Sequence, residues 1–142
     1  MKKEDEKRIR ELAAEAEFHQ TQANEIRNQI IALQNIENEI SRSEEAIKNL
    51  KEGNVSLFSI GSGIFVRSTL KNVDKVLVNV GHNVIVEKTI DDSLAFLDER
   101  KKEIAEAKGE LLKQIGIISE RLKSIDKEAR EIIQKERKEG KK

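Results

Sequence analysis

Few side chains in this sequence have a type and spacing that could do covalent chemistry. Gly61-Ser62-Gly63 resembles a phosphate-cradling loop, but no Lys-Ser or Lys-Thr pair follows it. No helix begins there and the next residues read as a strand, so the segment reads as a turn. His19 and His82 are the only histidines, and cysteine is absent. His19 falls on the seam of a helical stretch and His82 at a hairpin tip, so no set of metal ligands converges. Serines and carboxylates are plentiful, yet no pattern sets a histidine base beside a nucleophile. The sequence therefore predicts no enzyme: no catalytic residue, no cofactor, no metal site.

Composition points to elongated elements instead. Of 142 residues, 38% are charged and 3% aromatic, with four Phe and no Tyr, Trp or Pro. At 37% hydrophobic, the chain has too little apolar volume to fill a globular core. A proline-free mixture of Ile, Leu, Glu and Lys favours long helices. The 27 basic and 27 acidic side chains cancel, which argues against a nucleic-acid partner. No apolar run approaches the ~18 residues that span a bilayer, so no membrane segment is expected. The charged start from Met1 to Arg8 leads into no apolar stretch, which reads as no secretory signal. Lack of cysteine suits a reducing compartment, and the predicted location is cytoplasmic.

The chain reads as one domain, residues 1–142, in three blocks. Residues 4–52 contain neither Gly nor Pro and read as one helix. A seam stepped by three and four runs from Ile9 and Leu12 through Ala23, Ile26 and Ile30 to Ile47, apolar at nine of twelve positions. Residues 91–139 repeat the pattern from Leu94 through Leu111, Ile118 and Ile125 to Ile132, apolar at ten of twelve. Thr89 is the expected N-cap, with Asp92 three residues on. Gly109 and Gly116 weaken this helix by about 1 kcal/mol each relative to Ala. Residues 53–90 read as four strands near Val55–Ile60, Ile64–Leu70, Lys75–Val80 and Val84–Lys88. Turns at Gly61-Ser62-Gly63, Asn72-Val73-Asp74 and Gly81-His82-Asn83 make them two hairpins. Val76, Val78, Val80, Val84 and Val86 would share one face.

Each helix would extend roughly 70 Å at 1.5 Å per residue, and so long a helix with a narrow apolar seam must be paired. The nearest partner is the other helix of the same chain. The expected fold class is α+β, mainly α: a long antiparallel coiled-coil hairpin with two β-hairpins inserted between its helices. A register that sets Glu44 opposite Lys101 also sets Glu37 opposite Lys108 and Ala16 opposite Ala129. Such pairs set register more than they add stability, and snorkelling out of the seam is the plainer alternative. The remaining helix charges read as solvated faces with i,i+4 pairs.

The 38 residues of the strand block cannot cover their own faces or edges, so strands of other subunits are expected to complete them as an inter-subunit barrel. At the open end Ala13, Ala14, Ala16, Ala23 and Ala129 make the packing thin, which favours fraying. A frayed tip with Phe18 and Ile133 beside the seam would bind apolar segments weakly and without sequence preference. An ordinary fraying coiled-coil end fits the same residues.

A resemblance lies in the central block. Ser59-Ile60-Gly61-Ser62-Gly63-Ile64-Phe65-Val66 and Asp74-Lys75-Val76-Leu77-Val78-Asn79-Val80-Gly81 are similar to segments of the prefoldin subunit family. So is Val84-Ile85-Val86-Glu87-Lys88-Thr89-Ile90 leading into Leu94-Ala95-Phe96-Leu97. The order helix, two hairpins, helix extends the likeness over nearly the whole chain, and four strands point to the alpha class found in archaea. The resemblance implies an ATP-independent chaperone, a holdase subunit without a cofactor. It implies a hexamer with prefoldin beta subunits, two alpha and four beta, that holds unfolded client proteins and passes them to a group II chaperonin. On that account Ile9, Leu12, Phe18, Ile125, Ile132 and Ile133 are the client-contact candidates. The oligomerisation hub would use Val55, Leu57, Phe58, Ile60, Phe65, Val76, Val78, Val80, Val84 and Val86. The rival reading is a non-chaperone scaffold or tether whose strands only set oligomer state. An RNA-binding arm would need a basic stripe that the mixed charges do not supply.

Overall fold

The computed structural model describes residues 2–140; positions 1, 141 and 142 of the expected domain lie outside the described residues. Helix α1 spans Lys3–Lys48 and α2 spans Ile90–Gly140. Between them lie β1 (Val55–Gly61), β2 (Ile64–Thr69), β3 (Lys75–Asn79) and β4 (Ile85–Thr89). This is the mainly-α, helix–two hairpins–helix class read from the sequence.

The helix ends follow from local chemistry. Glu4, Asp5 and Glu6 occupy the first turn of α1 and Lys48 its last, each complementing the helix dipole. The helix stops four residues short of the expected residue 52. Its last turn tightens, with Asn49 N donating to the Glu45 and Ala46 carbonyls and Leu50 N to the Ile47 carbonyl. Gly53 then adopts φ +84°, and its amide donates to Leu70 O at 3.0 Å while Leu70 N donates to Asn54 O. These backbone groups extend the first hairpin and are lost to the helix. Helix α2 begins at Ile90, capped by Thr89 Oγ1, which accepts from Asp92 N at 3.1 Å.

The hairpins form two separate two-stranded antiparallel sheets. In β1–β2, Phe58 pairs with Val66 and Leu57 with Arg67, and the register shifts between Ser59 and Gly61. Positive φ at Gly61, Ser62 and Gly63 closes that turn. In β3–β4, Val78 pairs with Val86 and Leu77 with Glu87. His82 (φ 51°) and Asn83 (φ 60°) are both left-handed, as a type I′ turn requires, and Val84 N donates to Gly81 O at 2.9 Å. Val80 and Val84 fall just outside the strands, yet Val80 N still donates to Val84 O.

The chain packs as two compact units. The terminal unit holds the residues up to Gln34 together with those from Glu106 onward. Its helical segments run antiparallel, because Arg8 meets Glu128, Glu15 meets Arg121 and Gln34 meets Lys108. Ala23, Ile26 and Ile118 are its buried cluster, with Ile30, Leu111, Ile115 and Leu122 packed against them. The central unit holds residues 35–105, with Ile40 and Ser93 buried. Ser93 satisfies its hydroxyl by donating to Ile90 O at 2.7 Å, one turn back along α2. Phe96 carries two cations near its ring, Lys88 Nζ at 5.6 Å and the Arg100 guanidinium at 5.3 Å.

A Cβ built on Gly109 or Gly116 would meet nothing within 4 Å. Replacing both with Ala should therefore stabilise α2 by about 1 kcal/mol per site and raise the thermal midpoint followed by circular dichroism.

Candidate interaction surfaces

The strand block leaves apolar side chains uncovered on both faces. In β1–β2, Phe58, Val66, Ile60 and Ile64 lie on one side and Val55, Leu57 and Phe65 on the other, by the alternation of the paired strands. All seven are exposed, Leu57 to 64%. In β3–β4, Val76 and Val78 are half-buried, whereas Val80, Val84 and Val86 are exposed. The opposite face presents Leu77, 74% exposed, and Ile85. Ile64, Val66, Leu77 and Ile85 are thus uncovered apolar side chains on the same ribbons as the ten residues expected at the hub. Their signal was present in the sequence, since a two-stranded ribbon buries neither face and every apolar residue on it is a candidate.

The six client-contact candidates separate by burial in the terminal unit. Phe18 is 65% exposed and Ile133 also stands open, while Ile9 and Ile132 are half-buried. Leu12 (1%) and Ile125 (4%) are buried. In the closed hairpin these two are packing residues rather than surface, because seam positions point at the facing helix. Ile9, Leu12, Ala16, Ile125, Ala129 and Ile133 nevertheless line one shared cleft of about 260 Å³. The alanines leave it unfilled. Of the seam charges, Lys101 Nζ lies 3.4 Å from Glu44 Oε1, Lys108 Nζ donates to Gln34 Oε1 at 2.6 Å, and Glu37 is half-buried.

Four helix charges expected to be solvated instead bind across the hairpin. Arg8 donates from Nε and Nη2 to the two oxygens of Glu128 at 2.7 and 3.0 Å. Arg121 donates likewise to Glu15 at 2.6 and 2.8 Å. Each of the four precedes a seam residue by one position (Ile9, Ala16, Leu122 and Ala129). Such flanking positions of alternating sign are where coiled coils place interhelical pairs, and that heptad phase was the readable signal. The hydrogen bonds from Arg121 hold the Glu15 carboxyl below its ordinary pKa, with partial desolvation opposing. Those from Arg8 do the same to Glu128. Both guanidiniums are held more firmly protonated by the same bonds. His19 Nε2 sits 3.6 Å from Glu15 Oε1, and His82 is exposed in its turn. Among the described residues no group of three or more His, Asp or Glu side chains is arranged to hold a metal ion. No described helix is long and apolar enough to cross a membrane.

Two long helices with an apolar seam, interrupted by two hairpins with uncovered faces, define a coiled-coil subunit with a β insert. The chain belongs to the prefoldin subunit family, whose sequence profile matches residues 19–135. It is similar to prefoldin subunit alpha of Thermofilum pendens, 29% identical over 84% of this chain and 84% of the relative. Prefoldin subunit alpha 1 of Thermococcus kodakarensis is 33% identical over 70% of each chain. Prefoldin subunit alpha of Pyrococcus horikoshii is 28% identical over 92% of this chain and 90% of its own length. A chain in the cryo-EM structure of filamentous PFD from Methanocaldococcus jannaschii shares the fold, with TM-score 0.55 and 22% identity. That match covers 87% of this chain and 99% of the other.

The depressed carboxyls set a pH window. Stability from Glu15 and Glu128 is complete above the ordinary glutamate pKa of about 4.3 and is lost as pH falls through their lower folded values. The thermal midpoint of the wild-type chain should thus fall more steeply below about pH 4 than that of Glu15→Gln with Glu128→Gln, and the two curves should run parallel above about pH 5.5.

Proposed function

We propose that this chain is the alpha-type subunit of an ATP-independent holdase that captures unfolded proteins at the helical tips and passes them to a group II chaperonin. The observation that carries this reading is that exposed apolar side chains gather at two places, while Ile31, Ile36, Leu112 and Ile117 stand exposed elsewhere on the helices. One part lies on both faces of the β ribbons, the other around Phe18, Ile133 and the cleft of the terminal unit. The ribbons would be completed by strands of neighbouring subunits, two alpha and four beta in a hexamer. The tips would remain free for clients. Several weak apolar contacts on one assembly bind a client far better than one, because each contact after the first is effectively intramolecular. No nucleotide chemistry is required, since release follows from client folding and from competition by the chaperonin. Such a subunit is not an enzyme, and it would work in the cytoplasm.

Val78→Asp should prevent assembly with a beta-type subunit, because a carboxylate would enter a surface that subunits bury together. Native mass spectrometry of the mixture should then give free chains, and a wild-type hexamer mass would overturn the hub. Removing residues 2–15 with 122–140 should leave that hexamer mass intact and abolish suppression of aggregation of several unrelated denatured proteins. Undiminished suppression would overturn the tip assignment, and binding confined to one defined partner would favour a tether.

A further inference from the structure

We propose that the two bidentate ion pairs Arg8–Glu128 and Glu15–Arg121 form an electrostatic latch that holds the two helical segments of the terminal unit together on the flank of the seam opposite its apolar cleft. Releasing the latch is what admits a client segment. The second half of the proposal rests on the holdase reading above.

The geometry supports a latch rather than ordinary surface pairing. The two pairs recur at seven-residue spacing on each helix, two helical turns or roughly 10 Å apart. Each uses two parallel N–H···O bonds, the arrangement in which guanidinium and carboxylate bind most specifically. They also act on one another, since Arg121 draws on Glu128 as well as Glu15 and is opposed by Arg8. The four charges therefore form one alternating array.

Behind this array the apolar packing is thin. Leu12 and Ile125 are the large buried residues there, and Ala13, Ala16 and Ala129 line the cleft beside them. Where alanines face each other across a seam, little apolar area resists separation, and charge carries a larger share of closure. The Arg8 and Arg121 side chains are each 40% exposed, so dissolved ions reach them. A screening length of about 10 Å at 0.1 M salt falls to about 3 Å at 1 M, comparable with the bonds themselves. Ionic strength would then set how often the cleft opens.

Absence of cysteine makes the test direct, because Lys7→Cys and Lys127→Cys carry the only spin labels on the full chain. The label distance, measured with beta-type subunit present, should broaden to longer values as NaCl rises from about 0.1 to about 1 M, the range over which the screening length shrinks to that of the bonds. Arg8→Gln with Arg121→Gln should broaden it already at low salt, and Arg8→Glu with Glu128→Arg should restore the narrow distribution. Helicity by circular dichroism reports whether each variant is folded. At fixed low salt the double glutamine variant should capture guanidine-denatured citrate synthase at about half the wild-type subunit ratio, the order of change expected from loosening partly exposed pairs. A distance distribution indifferent to salt and to both substitutions would overturn the latch. Broadening without a gain in capture would overturn its coupling to clients. If the wild type suppresses no aggregation, the holdase reading fails, and the distance data alone judge the latch.

Discussion

Everything in this structure depends on a seam of aliphatic side chains shared by two helices too long to stand alone. A single helix of 46 or 51 residues exposes its apolar stripe along its whole length, and water removes the stripe only when a second helix covers it. In the terminal unit Ala23, Ile26 and Ile118 meet in that way, with Ile30, Leu111, Ile115 and Leu122 around them. Such a seam is narrow and cannot hide anything else. Surface that a globular protein would bury is left in the open.

That consequence falls hardest on the strand block. Two ribbons of two strands have no second layer, and Leu57 and Leu77 stand exposed on faces whose opposite sides are apolar too. Alternation along the strands cannot sort these residues into inside and outside within one chain. Membership of the prefoldin subunit family gives this a setting, since the residues matched by the family profile include both ribbons and most of each helix. The type I′ turn at His82 and Asn83 holds one ribbon in shape without help from a second layer.

At the end that carries the termini, the same shallow seam has a different effect. Alanines replace larger aliphatics, a cleft opens beside Leu12 and Ile125, and charge takes over part of the work of closure. Apolar packing is insensitive to salt, whereas partly exposed ion pairs are weakened by it. A helix pair built this way has a firm middle and an adjustable end.

Periodicity, turn residues and caps were readable in the amino-acid order alone. The seam steps, the Thr89 cap, both hairpins and their positive-φ turns are local features, governed by residues within a few positions of each other. What tertiary structure decided was which of these residues meet others. Gly53 and Leu70 ended α1 early because a hairpin claimed their backbone groups. Leu12 and Ile125 went into the seam while Phe18 remained outside it. Arg8 and Glu15 make their paired hydrogen bonds to α2, beside looser contacts with Glu11 and His19 on their own helix. In each case the outcome turned on the offset between two helices or two strands. A periodic pattern allows several such offsets, and only packing in three dimensions selects one.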